Sequence, residues 1–362
     1  MSDSLNKNRV IFLDLLRSVA LLLMVLSVTM NHTLSDEYRA MGKYWINIWY
    51  YLDSMIAPLF LLTSGAVFLY LFRTQNKPFA ENERVKKGLK RALFLILLGY
   101  LIQVPDYRIF TGGVVYTDFQ WQQLWGVDIL QVIGMSVIMT IGLLYIAEKT
   151  KIRNYIVFGI GAMLLILISV LMQYSNISAM LPDAVDAYFT SESGSKYPLF
   201  PFGFYFLAGS CIGCFMSTYP EAFIEMKGSS LIMLIGVGLI LLSFVGQWAF
   251  YMVGLNEQIT NQVVVSVFRS AGLIILALIS VVYVSIILPQ IPKIFILIGR
   301  NTLLVFVVHI IIIERTFLSV YFQRIYNVWE SAVMSFGMLS FMILLVIIVN
   351  RLNIKNFSMM RN

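Results

Sequence analysis

Residues Val10–Thr33 read VIFLDLLRSVALLLMVLSVTMNHT, an apolar run of membrane-spanning length that nonetheless carries Asp14, Arg17 and His32. A spanning helix needs about 20 largely apolar residues, and a charged side chain at its centre costs about 2.5 kcal/mol or more. Charges kept at that cost point to function. Asp14 and Arg17 are three residues apart and can pair on one helix face. Arg17 and His32 are fifteen residues apart, which on a helix gives roughly 22 Å of rise and an angular offset of about 60°. Both can therefore face one cavity. A fixed cation near one end and a titratable imidazole near the other suggest a reaction path through a membrane.

The rest of the chain fits that setting. Of its 362 residues, 59% are hydrophobic and 12% charged, and the mean hydropathy is +0.82. A soluble globular protein carries about 25% charged residues. The composition predicts an all-α, polytopic integral membrane protein forming a single domain over residues 1–362. The first apolar run is too long for a signal-peptide core, and no small-residue cleavage site follows it, so it is expected to be retained. The net charge of +7 does not suggest nucleic-acid binding, because in a membrane protein the distribution of Lys and Arg matters more than their sum. Cys211 and Cys214 form a CxxC inside an apolar run. A redox or metal role is weighed against a buried helical pair beside Gly209 and Gly213, and the second reading is preferred.

Apolar runs of spanning length fall near 10–32, 45–72, 92–105, 124–147, 154–173, 199–217, 229–253, 264–288, 294–313 and 328–350. About ten spans place both termini on one side. With that side cytoplasmic, the inner segments hold seventeen Lys and Arg and the outer segments six. The positive-inside rule then predicts cytoplasmic termini and a multi-pass protein of the cell inner (plasma) membrane. The basic stretch 73–91 can attract anionic lipid headgroups or an anionic cofactor. Outer segments 106–123 and 174–198 are polar and aromatic, suited to lining an entrance for a hydrophilic acceptor. The blander reading is that their Trp and Tyr residues are interfacial anchors.

Few residues can do chemistry. His32 closes the first span and His309 sits late in the ninth, both toward the outer side. No local spacing assembles a metal site or a serine triad. Asp128, early in the fourth span, lies at a depth where it can orient His32 as a general base. Asp53 competes for that role, while Asp118 and Glu314 read as solvated. On the inner side Arg17 and Arg300, with Arg91 close in depth, can hold phosphate oxygens through the guanidinium fork, and the Asn301 amide can add a hydrogen bond. The alternatives are a structural Arg17–Asp14 pair, ordinary positive-inside charge for Arg91, and histidines bonded to carbonyls.

LDLLRSVALLLMVL (13–26) resembles the opening of the transmembrane acyltransferase superfamily. Within it, the chain is most similar to the catalytic domain of the heparan-α-glucosaminide N-acetyltransferases and their bacterial relatives. YYLDSMIAPLFLLTSGAVF (50–68) resembles that family's second-helix segment and WGVDILQVIGMSVI (125–138) its fourth. YPLFPFGFYFLAGSCIGCF (197–215) resembles its Pro-rich start and Gly-x-x-x-Gly finish, and LIGRNTLLVFVVHIIII (297–313) its late Gly-Arg-Asn helix ending in His. The resemblance implies about ten or eleven helices, cytoplasmic acetyl-CoA as acyl donor, and a sugar amine or hydroxyl as acceptor on the far side. It also implies a catalytic histidine. Asp14 and Arg17 match the family's Asp and Arg, and Arg300, Asn301 and His309 match its late motif.

Two departures bear on the site. Ser18 stands where glycine is usual. In the acyltransferase-3 branch the first-helix histidine comes eleven residues after the arginine, and here that position is Val28, with His32 four residues further on. In the heparan branch the active histidine lies beyond the first helix. His32 is thus a displaced equivalent, and His309 is its rival. The expected activity is acetyl transfer with His32 as base or acyl carrier. The alternative is a transporter or flippase for a polar glycan or lipid-linked precursor. The Gly209–Gly213 run packs a helix either within the monomer or across a homodimer.

Overall fold

The structure, a computed structural model, describes residues 2–40, 44–75, 77–105, 113, 115–175, 177, 180–219, 226–254, 264–287 and 292–351. The remainder, including residues 106–112 and 114 of the polar segment 106–123 and with them Arg108, lies outside the described residues. Among those described the fold is all-helical, and its one β-bridge joins Leu34 to Tyr326. Eight helices are long and apolar enough to cross a membrane, and a ninth span arises if one bent pair counts as a single crossing. The remaining predicted span, 92–105, belongs to a helix at Glu83–Gln103. Lys86, Lys87, Lys90 and Arg91 on its first half keep that helix out of the count.

The chain forms two compact units, one of Met1–Thr63 with Ser280–Asn362 and one of Ser64–Ile279. The first unit contains α1 (Ser2–Thr33), α2 (Asp36–Ala40) and the first part of α3 (Tyr44–Arg73). The second unit contains the rest of α3, α4 (Glu83–Gln103), α5 (Asp118–Trp125), α6 (Ile129–Thr150), α7 (Asn154–Tyr174), α8 (Asp183–Asp186), α9 (Leu199–Thr218), α10 (Met226–Val253) and most of α11 (Ser266–Ile287). The chain returns to the first unit for α12 (Lys293–Arg300), α13 (Thr302–Arg315), a 3-10 turn at Phe317–Phe322 and α14 (Val328–Arg351).

In the first unit α1 packs along α12, α13 and α14, burying Leu16, Ala20, Leu21, Met24 and Val25. Gly299 sets the closest approach. A Cβ there would run into the Asp14 carbonyl, so α12 lies backbone against backbone on α1. Ser18 stands at the same crossing, and its hydroxyl hydrogen is shared between the Asp14 carbonyl at 2.8 Å and the Phe295 carbonyl. The serine found in place of the family's usual glycine therefore has work for its hydroxyl at this contact.

Helices α12 and α13 meet at a 75° bend, and Asn301 makes the break. Its backbone N–H bonds the Ile298 carbonyl at 2.9 Å, which leaves the Leu297 carbonyl without its helical donor. The Asn301 side-chain amide takes that place at 2.8 Å, so the break leaves no orphan acceptor there.

In the second unit α6 packs against α4, α7 and α9, and α7 lies along α9. The Gly-rich end of α9 packs inside the chain: a Cβ on Gly213 would meet the Ala66 carbonyl, and one on Gly65 the Phe206 carbonyl. Cys211 and Cys214 are free thiols. Between α8 and α9, buried Asp186 accepts from Thr190 Oγ1 at 2.7 Å and Ser193 Oγ at 2.6 Å. Ser195 Oγ accepts from Val127 N–H at 2.8 Å and donates to the Ala187 carbonyl at 2.6 Å. These bonds tie residues 186–195 to the start of α6.

Candidate active site

Both ends of α1's membrane stretch carry polar clusters inside the first unit. At the Asp14 end, Arg300 Nε donates to Asp14 Oδ2 at 3.1 Å. Asp14 is 8% exposed, and a carboxylate buried that far needs such a partner. Arg17 Nη2 donates to Thr302 Oγ1 at 2.6 Å. The structure thus brings Asp14, Arg17, Arg300 and Thr302 together across the α1–α12–α13 junction. Arg300 uses only Nε for Asp14, and its two terminal nitrogens have no partner among the described residues. Its side chain is 45% exposed, so the end of the fork remains available to an anion. Asn301, read from sequence as a further donor to phosphate, spends an amide hydrogen on the helix break.

At the other end, His32 sends Nδ1 toward the Val28 carbonyl at 3.0 Å. A carbonyl only accepts, so Nδ1 carries the hydrogen, and Nε2 is the nitrogen left for chemistry. Nε2 lies 3.3 Å from Glu314 Oε1. One proton shared in that contact makes either an imidazolium–carboxylate pair or a neutral imidazole accepting from a carboxylic acid. Both side chains keep solvent contact, at 34% for His32 and 21% for Glu314.

The residue before His32 anchors the same helix end. Asn31 Nδ2 donates to Asp53 Oδ2 at 2.8 Å, and Trp49 Nε1 reaches Asn31 Oδ1 at 3.4 Å. Ser27 Oγ, one turn earlier, donates to Asp53 Oδ1, and Arg39 Nη2 donates to the Asn31 carbonyl. Asp53, read as a competing partner for the histidine, is occupied by Ser27 and Asn31.

His309 has the same local bond, with Nδ1 donating to the Val305 carbonyl at 2.9 Å, but different surroundings. It is fully buried, its ring meets Phe306 edge-on at 5.4 Å, and Nε2 has no hydrogen-bond partner among the described residues. Glu314 and His32 both lie within electrostatic range of the ring.

Two expected site residues belong to the second unit. Asp128 is the N-cap of α6 in a capping box with Gln131. Its Oδ1 accepts from Ile129 N–H at 2.6 Å, and Gln131 Oε1 accepts from Asp128 N–H at 3.3 Å. Its other oxygen lies 3.8 Å from Lys196 Nζ. Arg91 sits on α4 where the basic first half gives way to the apolar second half.

Sequence reasoning read Glu314 as solvated and singled out none of Asn31, Ser27 and Thr302. Glu314 carried a faint signal, as a carboxylate closing the same apolar helix that holds His309. Thr302 directly follows the Arg-Asn pair. Asn31 adjoins His32, yet nothing in the sequence ties it to Asp53.

The family model for heparan-alpha-glucosaminide N-acetyltransferase, catalytic, matches residues 9–253, more than half of the 362-residue chain. The match includes Asp14, Arg17, His32, Asp53, Arg91 and Asp128. Arg300, Asn301, His309 and Glu314 lie beyond it, and the structure draws Arg300 and Glu314 back to matched residues on α1. Among curated proteins none matches the chain. The chain belongs to the heparan-alpha-glucosaminide N-acetyltransferase catalytic family, and is a membrane acetyltransferase of that family.

Proposed function

We propose that the protein moves an acetyl group from acetyl-CoA to an amine or hydroxyl of a sugar on the opposite side of the membrane, with His32 as the base. The observation that carries this reading is the His32–Glu314 contact at 3.3 Å. A tautomer held through Nδ1 and a carboxylate at Nε2 give the imidazole a fixed direction and a place for the proton it gains. With no proton yet between Nε2 and Glu314, the neutral imidazole takes the proton of the acceptor's N–H or O–H at Nε2 as the acceptor's lone pair attacks the thioester carbonyl. The Glu314 carboxylate stabilises the imidazolium so formed, and the proton ends on the departing thiolate of CoA. A covalent acetyl-imidazole on Nε2 is the two-step version of the same transfer. Asn31 and Asp53 keep the helix end that presents the ring in place. Asp128 serves the cap of α6, and the base has its carboxylate in Glu314.

At the other end of α1, Arg300 and Arg17 suit the phosphates of CoA. The unpartnered end of the Arg300 fork supports this role, because a guanidinium holds phosphate oxygens two at a time. Orientation follows from the cation distribution: the Arg17 end faces the cytoplasm, both termini lie there, and the His32 end faces outward. The expected location is the plasma membrane, with glycan or lipid-linked sugar as partner.

The broken α12–α13 pair also favours a second reading, since interrupted helices line transport sites. One experiment separates the two. Protein in sealed vesicles is given acetyl-labelled CoA outside and a glucosamine-terminated oligosaccharide inside. The acetyltransferase predicts labelled oligosaccharide in the lumen, reduced by Arg300→Ala. Movement of unmodified oligosaccharide without label transfer would favour the transporter.

A further inference from the structure

A cavity of about 330 Å³ in the second unit lies among the end of α3, the turn that follows it, and the α6–α7 corner. It belongs to neither end of α1. Ligand sites run from about 300 to 1,000 Å³, so this one suits a headgroup or one end of a nucleotide. Its walls carry Arg73, Lys77, Glu148 and Asn154, with Phe72 and Phe79 on the apolar side.

The charges on these walls are unevenly matched. Arg73 donates from Nη1 to Cys214 Sγ at 2.8 Å. A thiol is a weak acceptor and does not neutralise a guanidinium. Neither Arg73 nor Lys77 has an ion-pair partner among the described residues. Glu148 spends Oε2 on the Phe79 N–H at 2.8 Å, a bond that shapes the turn. Asn154 opens α7, a helix of 21 residues whose N-cap, Arg153, supplies no side-chain cap. The first-turn N–H groups thus add positive potential to a cavity that already holds two cations.

We infer that this cavity between α3, α6 and α7 is a phosphate-binding site, filled by the phosphate of a nucleotide or of an anionic phospholipid. A guanidinium fork and a flexible ammonium side by side fit a tetrahedral dianion, which accepts from several directions at once. Phe72 and Phe79 give the rest of the ligand an apolar wall. The site stands independently of acetyl transfer, because its residues are separate from His32, Glu314, Arg17 and Arg300.

The test uses the full chain in nanodiscs and three probes. Inorganic phosphate and adenosine 3′,5′-bisphosphate are titrated calorimetrically, and phosphatidylglycerol retention is compared with phosphatidylcholine by native mass spectrometry. Arg73→Gln/Lys77→Gln is expected to weaken the natural probe at least tenfold, with thermal unfolding reporting that the variant is folded. Glu148→Gln, which can keep the Phe79 bond through its amide oxygen, is expected to tighten it. A loss confined to the bisphosphate identifies a nucleotide ligand, and a loss confined to phosphatidylglycerol identifies a lipid. Equal binding of all three probes by wild type and the double variant would overturn the site, and so would no binding of any of them by the wild type.

Discussion

The two ends of α1 solve different problems with similar residues. At the Asp14 end a buried carboxylate is gripped by Arg300 at 3.1 Å, at a crossing so close that only glycine fits at position 299. At the His32 end an imidazole and a carboxylate stand 3.3 Å apart, both partly exposed. The first arrangement pairs a carboxylate with a guanidinium across two helices, and it anchors them. The second leaves a proton somewhere to go. On the proposed function the Asp14 end sets stability and donor binding, while the His32 end sets chemistry.

Substitutions can break or sharpen that division. The largest effect belongs to the His32 end: His32→Ala is expected to lower turnover by about 10²–10⁴-fold, the usual worth of general acid–base catalysis, with unfolding temperature unchanged. At the other end of the helix Asp14→Ala leaves Arg300 without its partner and is expected to cost about 1–3 kcal/mol of stability, read as a lower unfolding temperature in detergent. Gly299→Ala pushes a methyl into the Asp14 carbonyl and is expected to cost a similar amount, about 1–3 kcal/mol. Glu314→Gln is the smallest and most informative change. It is expected to lower kcat about tenfold, or about 1.4 kcal/mol, without changing KM. Added to His32→Ala it should cost nothing more, since groups that act as a unit are not additive. An additive double variant would separate Glu314 from the base.

The sequence showed the helices better than their partners. Hydrophobic length located α1, α3, α6, α7, α9 and α14, because a bilayer imposes that length on any spanning helix. The break at Asn301 was invisible: the apolar run 294–313 passes through it, and the bend depends on one side chain replacing a backbone donor. The polar residues of α1 stood out in the sequence because burying charge is costly. Their partners were not, since Arg300 meets Asp14 across 286 positions and Glu314 looked solvated at the end of its helix. Local spacing suggested an Arg17–Asp14 pair, whereas the fold supplies Arg300 to Asp14 and Thr302 to Arg17. From sequence His32 was preferred as base with His309 as its rival, and both make the same bond to the carbonyl four residues earlier. Only the tertiary surroundings separate the half-exposed ring beside a carboxylate from the buried ring against Phe306.

The most direct measurement is transfer of labelled acetyl from acetyl-CoA by His32→Ala and His309→Ala, each reconstituted in nanodiscs, with acetyl-CoA binding measured on the same samples. His32→Ala is expected to bind acetyl-CoA and to transfer about 10²–10⁴-fold more slowly, while His309→Ala still transfers. Full transfer by His32→Ala, with none by a folded His309→Ala, would contradict this assignment and move the base to α13.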